Sequence, residues 1–123
     1  MTKNQRTTAK AKEINFNNQF LKILSIMLSS SQRKHLRGLA HNLEPVVRVG
    51  QKGLTDSVLG ETAKALQSHE LIKVRLDAEG SERKTLAAEL AEKAEADLAG
   101  VVGKIAILYK ANDEKPKIKL PRA

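Results

Sequence analysis

A β-branched run from Pro45 to Val49 passes directly into Gly50-Gln51-Lys52-Gly53 and then into a segment with helical spacing. This order predicts a strand, a tight turn and a helix. The two glycines leave two positions of the turn without a Cβ, so a sugar-phosphate backbone can approach the main-chain N–H groups. A helix dipole favours negative charge at that place, and Lys52 adds a formal positive charge. The turn is therefore a candidate phosphate clamp of the G-x-x-G kind.

A G-x-x-G match by itself more often marks an ordinary glycine turn than a phosphate clamp. The composition and charge of the chain help to decide between these two interpretations. The 123 residues carry a formal charge of +8, which points to a polyanionic partner such as nucleic acid, an acidic membrane surface or an acidic protein. The chain has no cysteine, which excludes a disulfide framework and a thiolate metal site. Two Phe, one Tyr and no Trp leave little on which bases could stack.

Residues 1–27 are predicted to be a flexible basic and apolar extension that precedes the domain. The basic start and the apolar run that follows resemble a signal peptide, but Lys22 interrupts the run and no A-x-A cleavage motif follows it. The run is also too short to span a bilayer. We therefore expect a cytoplasmic protein without a membrane partner.

The predicted domain covers residues 28–110 and begins with a helix capped by serines. Its inward stripe consists of Leu36, Leu39, Ala40 and Leu43. The opposite side of this first helix is basic and carries Arg33, Lys34, Arg37 and His41. Such a stripe is either a solvated face or part of a binding surface, and no acidic residue interrupts it.

The remaining pattern predicts a helix capped by Thr55, a strand from Leu71 to Leu76, a third helix and a hairpin. The third helix is expected to run from a Ser81 cap to about Leu98, with its acidic side outward. The hairpin turns at Gly103-Lys104. Residues 111–123 are expected to form a basic, loosely held tail. If the first two strands are neighbours, the open sheet face is lined by Arg48, Lys73 and Arg75.

Charge is separated along the domain. Residues 29–110 contain 13 Lys and Arg against 11 Asp and Glu, whereas residues 31–53 contain five against one. A protein that binds a phosphate backbone on one surface is expected to show this separation. We therefore expect the basic helix and the glycine turn to share one surface.

Four linked segments of the chain resemble one known family. They are Leu28-Ser-Ser-Ser-Gln-Arg-Lys-His-Leu-Arg-Gly-Leu-Ala-His, Val46-Val-Arg-Val-Gly-Gln-Lys-Gly-Leu-Thr, His69-Glu-Leu-Ile-Lys-Val-Arg and Val102-Gly-Lys-Ile-Ala-Ile-Leu-Tyr-Lys. Together they resemble the YhbY-type bacterial proteins, which consist of a single CRM (chloroplast RNA splicing and ribosome maturation) domain. Residues 1–26 match nothing in this pattern.

The resemblance implies an α/β fold of the α+β two-layer kind, with the order α-β-α-β-α-β-β and a four-stranded mixed sheet. The sheet and last two helices of the family are similar to the C-terminal domain of translation initiation factor three. The resemblance also implies RNA binding, and association with rRNA in precursors of the large ribosomal subunit. Carried onto this chain, the implied loop is Gly50, Gln51, Lys52 and Gly53, with Arg33, Lys34, Arg37 and Arg48 around it.

Three alternatives to RNA binding in ribosome assembly belong to other functional classes of protein. An enzyme is not expected, because the sequence shows no P-loop, no Ser/His/Asp set and no metal-spaced histidines. No cofactor, metal or small-molecule substrate is expected, and the chain is expected to act as a monomer. A protein-interaction module on the ribosome, using the acidic third helix or the apolar extension, remains the main alternative. Non-specific nucleic-acid binding, including DNA binding, is another.

Overall fold

The computed structural model describes residues 28–112 and 114–122, so the prediction for residues 1–27 lies outside the described residues. The described chain forms three helices and four strands in the predicted order. These elements are α1 (Ser30–Ala40), β1 (Pro45–Val49), α2 (Asp56–His69), β2 (Leu71–Leu76), α3 (Gly80–Lys93), β3 (Asp97–Val102) and β4 (Ile105–Tyr109).

The strands form one mixed sheet in the order β1-β2-β4-β3. β1 and β2 are parallel, while β2 with β4 and β3 with β4 are antiparallel. β1 and β3 are therefore the two edges. The parallel pair places the chain after Val49 and the chain after Leu76 at the same end of the sheet, as the bond from the Asp77 N–H to the Val49 carbonyl oxygen at 3.0 Å shows.

Both faces of the sheet are packed, but by different helices. Alternation along β2 sends Ile72 and Val74 to one face and Leu71 to the other. The first face packs against α2 and α3 in a core cluster that includes Leu66 and Leu90. The second face packs against α1 through a smaller cluster of Leu36, Ala40, Leu71, Ala99, Ile107 and Tyr109. The α+β class and the four-stranded mixed sheet are confirmed, and the two-layer description fits the sheet with α2 and α3, to which α1 adds a partial third layer.

The helix starts follow the sequence signals at α1 and α2 but not at α3. Ser29 caps α1 in a capping box with Gln32, and the Thr55 hydroxyl accepts a hydrogen bond from the Val58 N–H at the start of α2. α3 begins at Gly80 with Glu79 as its N-cap, and no side chain caps it. The prediction of a Ser81 cap is therefore wrong.

α3 also ends earlier than predicted, at Lys93 instead of Leu98. Glu95 has a positive φ of 55°, and the Ala96 N–H donates to the Ala91 carbonyl oxygen at 2.8 Å, which closes the helix end. This cap uses no glycine, so the sequence carries no stop signal there. The residues from Asp97 onward are consequently free to form the edge strand β3.

The segment after β4 packs against the domain, whereas the sequence predicts a loosely held tail. Ile118 and Leu120 pack against the cluster under α1, and the Gln32 side-chain amide donates to the Pro121 carbonyl oxygen at 3.0 Å. The buried carboxylate of Glu70 accepts hydrogen bonds from main-chain N–H groups of the same segment. These contacts cannot be predicted from local composition, because they join residues more than 40 positions apart.

Candidate nucleic-acid interface

The Gly50–Gly53 loop is a tight turn between the edge strand β1 and α2. The Gly53 N–H donates to the Gly50 carbonyl oxygen at 3.1 Å, and Gly53 has a positive φ of 75°. A side chain at position 53 would be strained in this conformation. At Gly50, by contrast, an added Cβ would meet no atom within 4 Å, so this glycine leaves open space beside the main chain. The loop thus offers an approach to its backbone from solvent.

The tip of the loop carries the groups that would meet an anion. Gln51 and Lys52 are exposed, and in the described part of the chain no internal acceptor is found for their main-chain N–H groups. The first turn of α2 follows, but Asp56 stands in it with a carboxylate that competes for the same helix dipole. The anion-binding capacity of the loop therefore rests on its tip and on Lys52 more than on the helix terminus.

Two arginines lie next to this loop on the face of the sheet that α1 covers only in part, and the part that α1 leaves exposed is here called the open sheet face. Arg48 of β1 and Arg75 of β2 are direct partners in the parallel register, with 70% and 47% of their side chains exposed. The sequence-based expectation that Arg48 and Arg75 occupy the same face of neighbouring strands is met. The side chains stand one strand spacing apart, about 4.8 Å. Together they form a cationic strip that begins where β1 enters the glycine turn.

Asp77 lies between these arginines and was not predicted as part of the site. Its Oδ2 is 2.6 Å from Nε of Arg48, and its Oδ1 is 3.2 Å from Nε of Arg75. The hydrogen bond and charge of Arg48, followed by those of Arg75, outweigh partial desolvation and lower the pKa of Asp77 below 3.8. Asp77 therefore stays ionised at neutral pH and orients both guanidinium groups. The sequence signal for it was weak, since an Asp that starts a turn is commonplace.

Lys73 links the sheet to α1 on the same face. Its Nζ lies 3.4 Å from the His41 carbonyl oxygen, just beyond the C-terminal end of α1. A cation at that position is favoured by the helix dipole. Lys73 is thus adjacent to the strip of Arg48 and Arg75, but part of its hydrogen-bonding capacity is already engaged.

The arginines of α1 are not brought to the glycine loop. Nη1 of Arg37 donates to the Ala99 carbonyl oxygen at 3.0 Å, which places the guanidinium over β3, the edge opposite β1. Nη1 of Arg33 donates to the Leu28 carbonyl oxygen at 2.6 Å, and Lys34 is exposed on the outer side of the helix. The expectation of one continuous patch is therefore wrong for Arg37. Helical periodicity correctly predicts that Leu36 and Ala40 are buried. It is wrong for Leu39 and Leu43, which are exposed, and for Arg37, which lies over β3 and not on the side opposite the sheet.

Two other kinds of site are absent from residues 28–112 and 114–122. In that part of the chain, no group of three His, Asp or Glu side chains is arranged to hold a metal ion. The same residues contain no helix that is long and apolar enough to cross a membrane.

A mixed sheet with helices on both faces, and with a basic strip beside a glycine turn, defines a small α+β domain with a surface suited to polyanions. Residues 28–110 match the family model of the CRS1 / YhbY (CRM) domain, and the chain belongs to that family.

Several known proteins are similar over this region. A Haemophilus influenzae protein named RNA-binding protein is 43% identical over 96 residues, which are 77% of this chain and 96% of that protein. A Pseudomonas aeruginosa protein named a probable RNA-binding protein is 41% identical over 91 residues, or 73% of this chain and 88% of that one. The solution structure of a hypothetical protein from Staphylococcus aureus matches with a TM-score of 0.70 and 32% identity, covering 77% of this chain and all of that one.

Proposed function

We propose that this chain binds RNA through the ribose-phosphate backbone and acts as a non-catalytic assembly factor on large ribosomal subunit precursors. The observation that carries the proposal is the pairing of Arg48 with Arg75 on the open sheet face, at the end of β1 that leads into the Gly50–Gly53 turn. The names of the relatives, which call them RNA-binding proteins, support the same partner. The proposed location is the cytoplasm and the proposed acting form is a monomer.

In this proposal, phosphate groups are held by three kinds of donor. The guanidinium groups of Arg48 and Arg75 bind phosphate oxygens in a forked geometry, which a lysine cannot reproduce. The main-chain N–H groups at the loop tip add neutral donors, and Lys52 adds a mobile charge. Lys73, beside the two arginines, adds a further positive charge. A separate group of positive charges lies on α1 and consists of Lys34 and of Arg33 and Arg37, which are partly engaged in hydrogen bonds within the protein.

Contacts of this kind position an RNA without reading its bases. Few aromatic side chains are available for stacking, since the whole chain has two Phe and one Tyr. Intrinsic sequence selectivity is therefore expected to be low, and structured regions of rRNA are the preferred partner because their folded backbone offers several phosphates at once.

Salt-dependent binding measurements test the phosphate contact. We expect the logarithm of the association constant for an rRNA fragment to fall with log salt at a slope of about −0.7 to −0.9 per neutralised phosphate. Lys52→Glu is expected to weaken binding to unrelated RNAs alike. Lys64→Glu, on the exposed side of α2, is the matched charge reversal and is expected to have a much smaller effect. Equal affinities for both variants would remove the loop from the proposal.

The ribosomal part of the proposal needs a test in cells. Crosslinking the protein to RNA and sequencing the attached fragments is expected to recover rRNA of the large subunit, enriched in fractions that contain its precursors. Recovery of messenger RNA fragments in proportion to their abundance would support only non-specific nucleic-acid binding.

A protein-interaction module is the competing function, and the acidic side of α3 is where it would act. Glu89 and Glu92 are both exposed there. Changing both to Lys is expected to leave ribosome association in place, because the RNA surface lies elsewhere. Loss of ribosome association with unchanged RNA affinity would favour the protein partner.

A further inference from the structure

Glu70 is a buried carboxylate whose partners all lie beyond β4. It follows α2 directly, has a positive φ of 63° and is only 1% exposed. Oε2 accepts a hydrogen bond from the Asn112 N–H at 2.6 Å, and Oε1 accepts from the N–H groups of Lys117 at 2.8 Å and Ile118 at 2.9 Å. A buried carboxylate without such donors would be costly, so Glu70 and the C-terminal segment stabilise each other.

The electrostatics of this contact agree with its geometry. Burial by itself raises the pKa of Glu70, but the three main-chain donors and the nearby Lys117 outweigh it, and the net pKa lies below 4.5. The carboxylate is thus charged at neutral pH. A charged acceptor makes stronger hydrogen bonds than a neutral one, which fixes the path of the chain after Asn112.

Beyond this contact, residues 115–122, here called the strap, run along α1. Ile118 and Leu120 are half-buried and pack under the helix, while Lys117 and Lys119 point outward, as the period of two in an extended chain requires. The Pro121 carbonyl oxygen is bound by the Gln32 side chain of α1. The strap is therefore held at both ends.

The outer side of the strap is cationic and uninterrupted. It carries Lys115, Lys117, Lys119 and Arg122, with no acidic residue among residues 115–122. Lys117 donates to the Ser68 carbonyl oxygen at 3.2 Å, but in the described part of the chain no ion pair involves Lys119 or Arg122. Lys34 of α1 and Pro121 of the strap line one groove of about 500 Å³, which places Lys34 near the end of the strap.

We infer that the strap and the outer side of α1 form a second phosphate-binding surface for RNA, positioned by Glu70. This inference rests on the proposed function and adds a second contact to it. The strap is anchored at Glu70, just before β2 begins, whereas the glycine loop lies beside the opposite end of β2. Six residues of strand separate the two ends, about 20 Å. The second surface is therefore distinct from the glycine loop.

Removal of the charges of Lys119 and Arg122, which form no ion pair within residues 28–112 and 114–122, tests the second surface. In Lys119→Gln with Arg122→Gln, the salt slope for a structured rRNA fragment is expected to become shallower by about 1.4 to 1.8, the value for two phosphates. An RNA too short to span both surfaces is expected to show a smaller change. Lys64→Gln with Lys93→Gln removes the same charge from exposed positions on α2 and α3 and serves as the control.

The outcomes separate this inference from the proposed function. If Lys52→Glu weakens binding and the strap variant behaves like the control, the second surface does not exist and the loop proposal stands. If neither Lys52→Glu nor the strap variant differs from its control, the proposed function fails as well. A strap effect with the slope change given above, absent from the control, supports the inference.

Glu70→Gln tests the positioning role. The amide keeps the shape of the side chain but turns an N–H₂ group toward main-chain donors, so the strap is expected to be released. RNA affinity should then fall as in the strap variant, and the Lys119 and Arg122 changes should add nothing in that background. Full additivity would overturn the role of Glu70. If Glu70→Gln does not fold, the strap variant with its control still decides the inference, since its changes are on the surface.

Discussion

The guanidinium group of Arg37 reaches across the sheet face and donates to the Ala99 carbonyl oxygen at 3.0 Å. Its aliphatic stem lies over Gly100, where an added Cβ would be 2.8 Å from Cδ of Arg37. Ala99 is fully buried, and its strand β3 is an edge of the sheet. The arginine therefore fastens α1 to an edge strand, and its charge is available to RNA only in part.

Replacement of Arg37 by Met is expected to reduce the free energy of unfolding by about 1 kcal/mol, because the Ala99 carbonyl oxygen loses a charged donor while the packing of the stem on Gly100 is retained. Urea denaturation measures the change. Lys34→Met, three positions earlier on the exposed side of the same helix, is the control and should stay within about 0.5 kcal/mol of the original protein. Equal losses for both variants would contradict a fastening role for Arg37.

Strand boundaries could be predicted from the sequence wherever alternation and a strong end signal coincide. Pro45–Val49 and Leu71–Leu76 have the predicted bounds. The end of α3 could not be predicted, because Glu95 adopts a left-handed conformation that usually belongs to Gly or Asn. The packing of the strap could not be predicted from the sequence either, since the strap is anchored by the carboxylate of Glu70, which lies at the end of α2, far away along the chain.

The candidate site also contains some residues whose position can be predicted from the sequence and others whose position cannot. Alternation along two strands correctly put Arg48 and Arg75 on one face, because the period of two is a local property of the chain. The position of Arg37 depends on how α1 crosses the sheet, which is a tertiary property that periodicity does not contain. The sequence does not predict the role of Asp77, because that role arises only once the parallel register brings both arginines beside it.

Gly50 separates the effect of the loop on RNA from its effect on folding. A Cβ at this position would meet nothing within 4 Å, so Gly50→Ala is expected to leave stability within about 0.5 kcal/mol. RNA affinity should nevertheless fall severalfold, because a phosphate backbone that contacts this main chain is displaced. Gly50→Asp should weaken binding further, through steric and charge conflict together. Fluorescence anisotropy with one rRNA fragment measures both variants.

Gly60 provides the matched control for that series. It is an exposed glycine of α2, and an added Cβ there also meets no atom within 4 Å. Gly60→Ala should therefore retain the original RNA affinity. If Gly50→Ala binds RNA as tightly as Gly60→Ala does, close approach of the backbone to the loop is ruled out.

Asp77 partly neutralises Arg48 and Arg75, so its removal is expected to strengthen RNA binding. In Asp77→Asn the amide keeps a contact to the guanidinium groups while the negative charge disappears. The salt slope should steepen by about 0.7 to 0.9, the value for one more neutralised phosphate. Titrations at several salt concentrations measure it. Glu61→Gln, on the exposed side of α2, removes an equal charge at a distance and should leave the slope unchanged.

A weaker binding of Asp77→Asn would show that orientation of the arginines outweighs their partial neutralisation. To distinguish the two effects, Arg48→Lys keeps the charge but loses the forked geometry. We expect this variant to lose affinity in the presence of Asp77, because a lysine cannot hold a phosphate with two parallel bonds.

Asp97 makes the stability of the domain depend on pH. Burial at the start of β3 raises the pKa of this carboxyl from 3.8 to about 6. A raised pKa in the folded state means that the protonated form is favoured by folding. The stabilisation is therefore complete below about pH 4 and is lost as pH rises through about 6. At neutral pH the ionised carboxylate is a net cost to the fold.

Asp97→Asn is accordingly expected to increase the free energy of unfolding at pH 7.5. A shift of this size would correspond to about 3 kcal/mol for a fully buried group, and solvent screening of a half-exposed one reduces it to about 1 kcal/mol. At pH 4 the two proteins should be nearly equally stable. Urea denaturation at both pH values measures the difference, and because each comparison is made at one pH, the titration of Glu70 and Asp77 cancels. A gain that is the same at pH 4 and pH 7.5 would assign it to packing at β3 and not to the ionisation of Asp97.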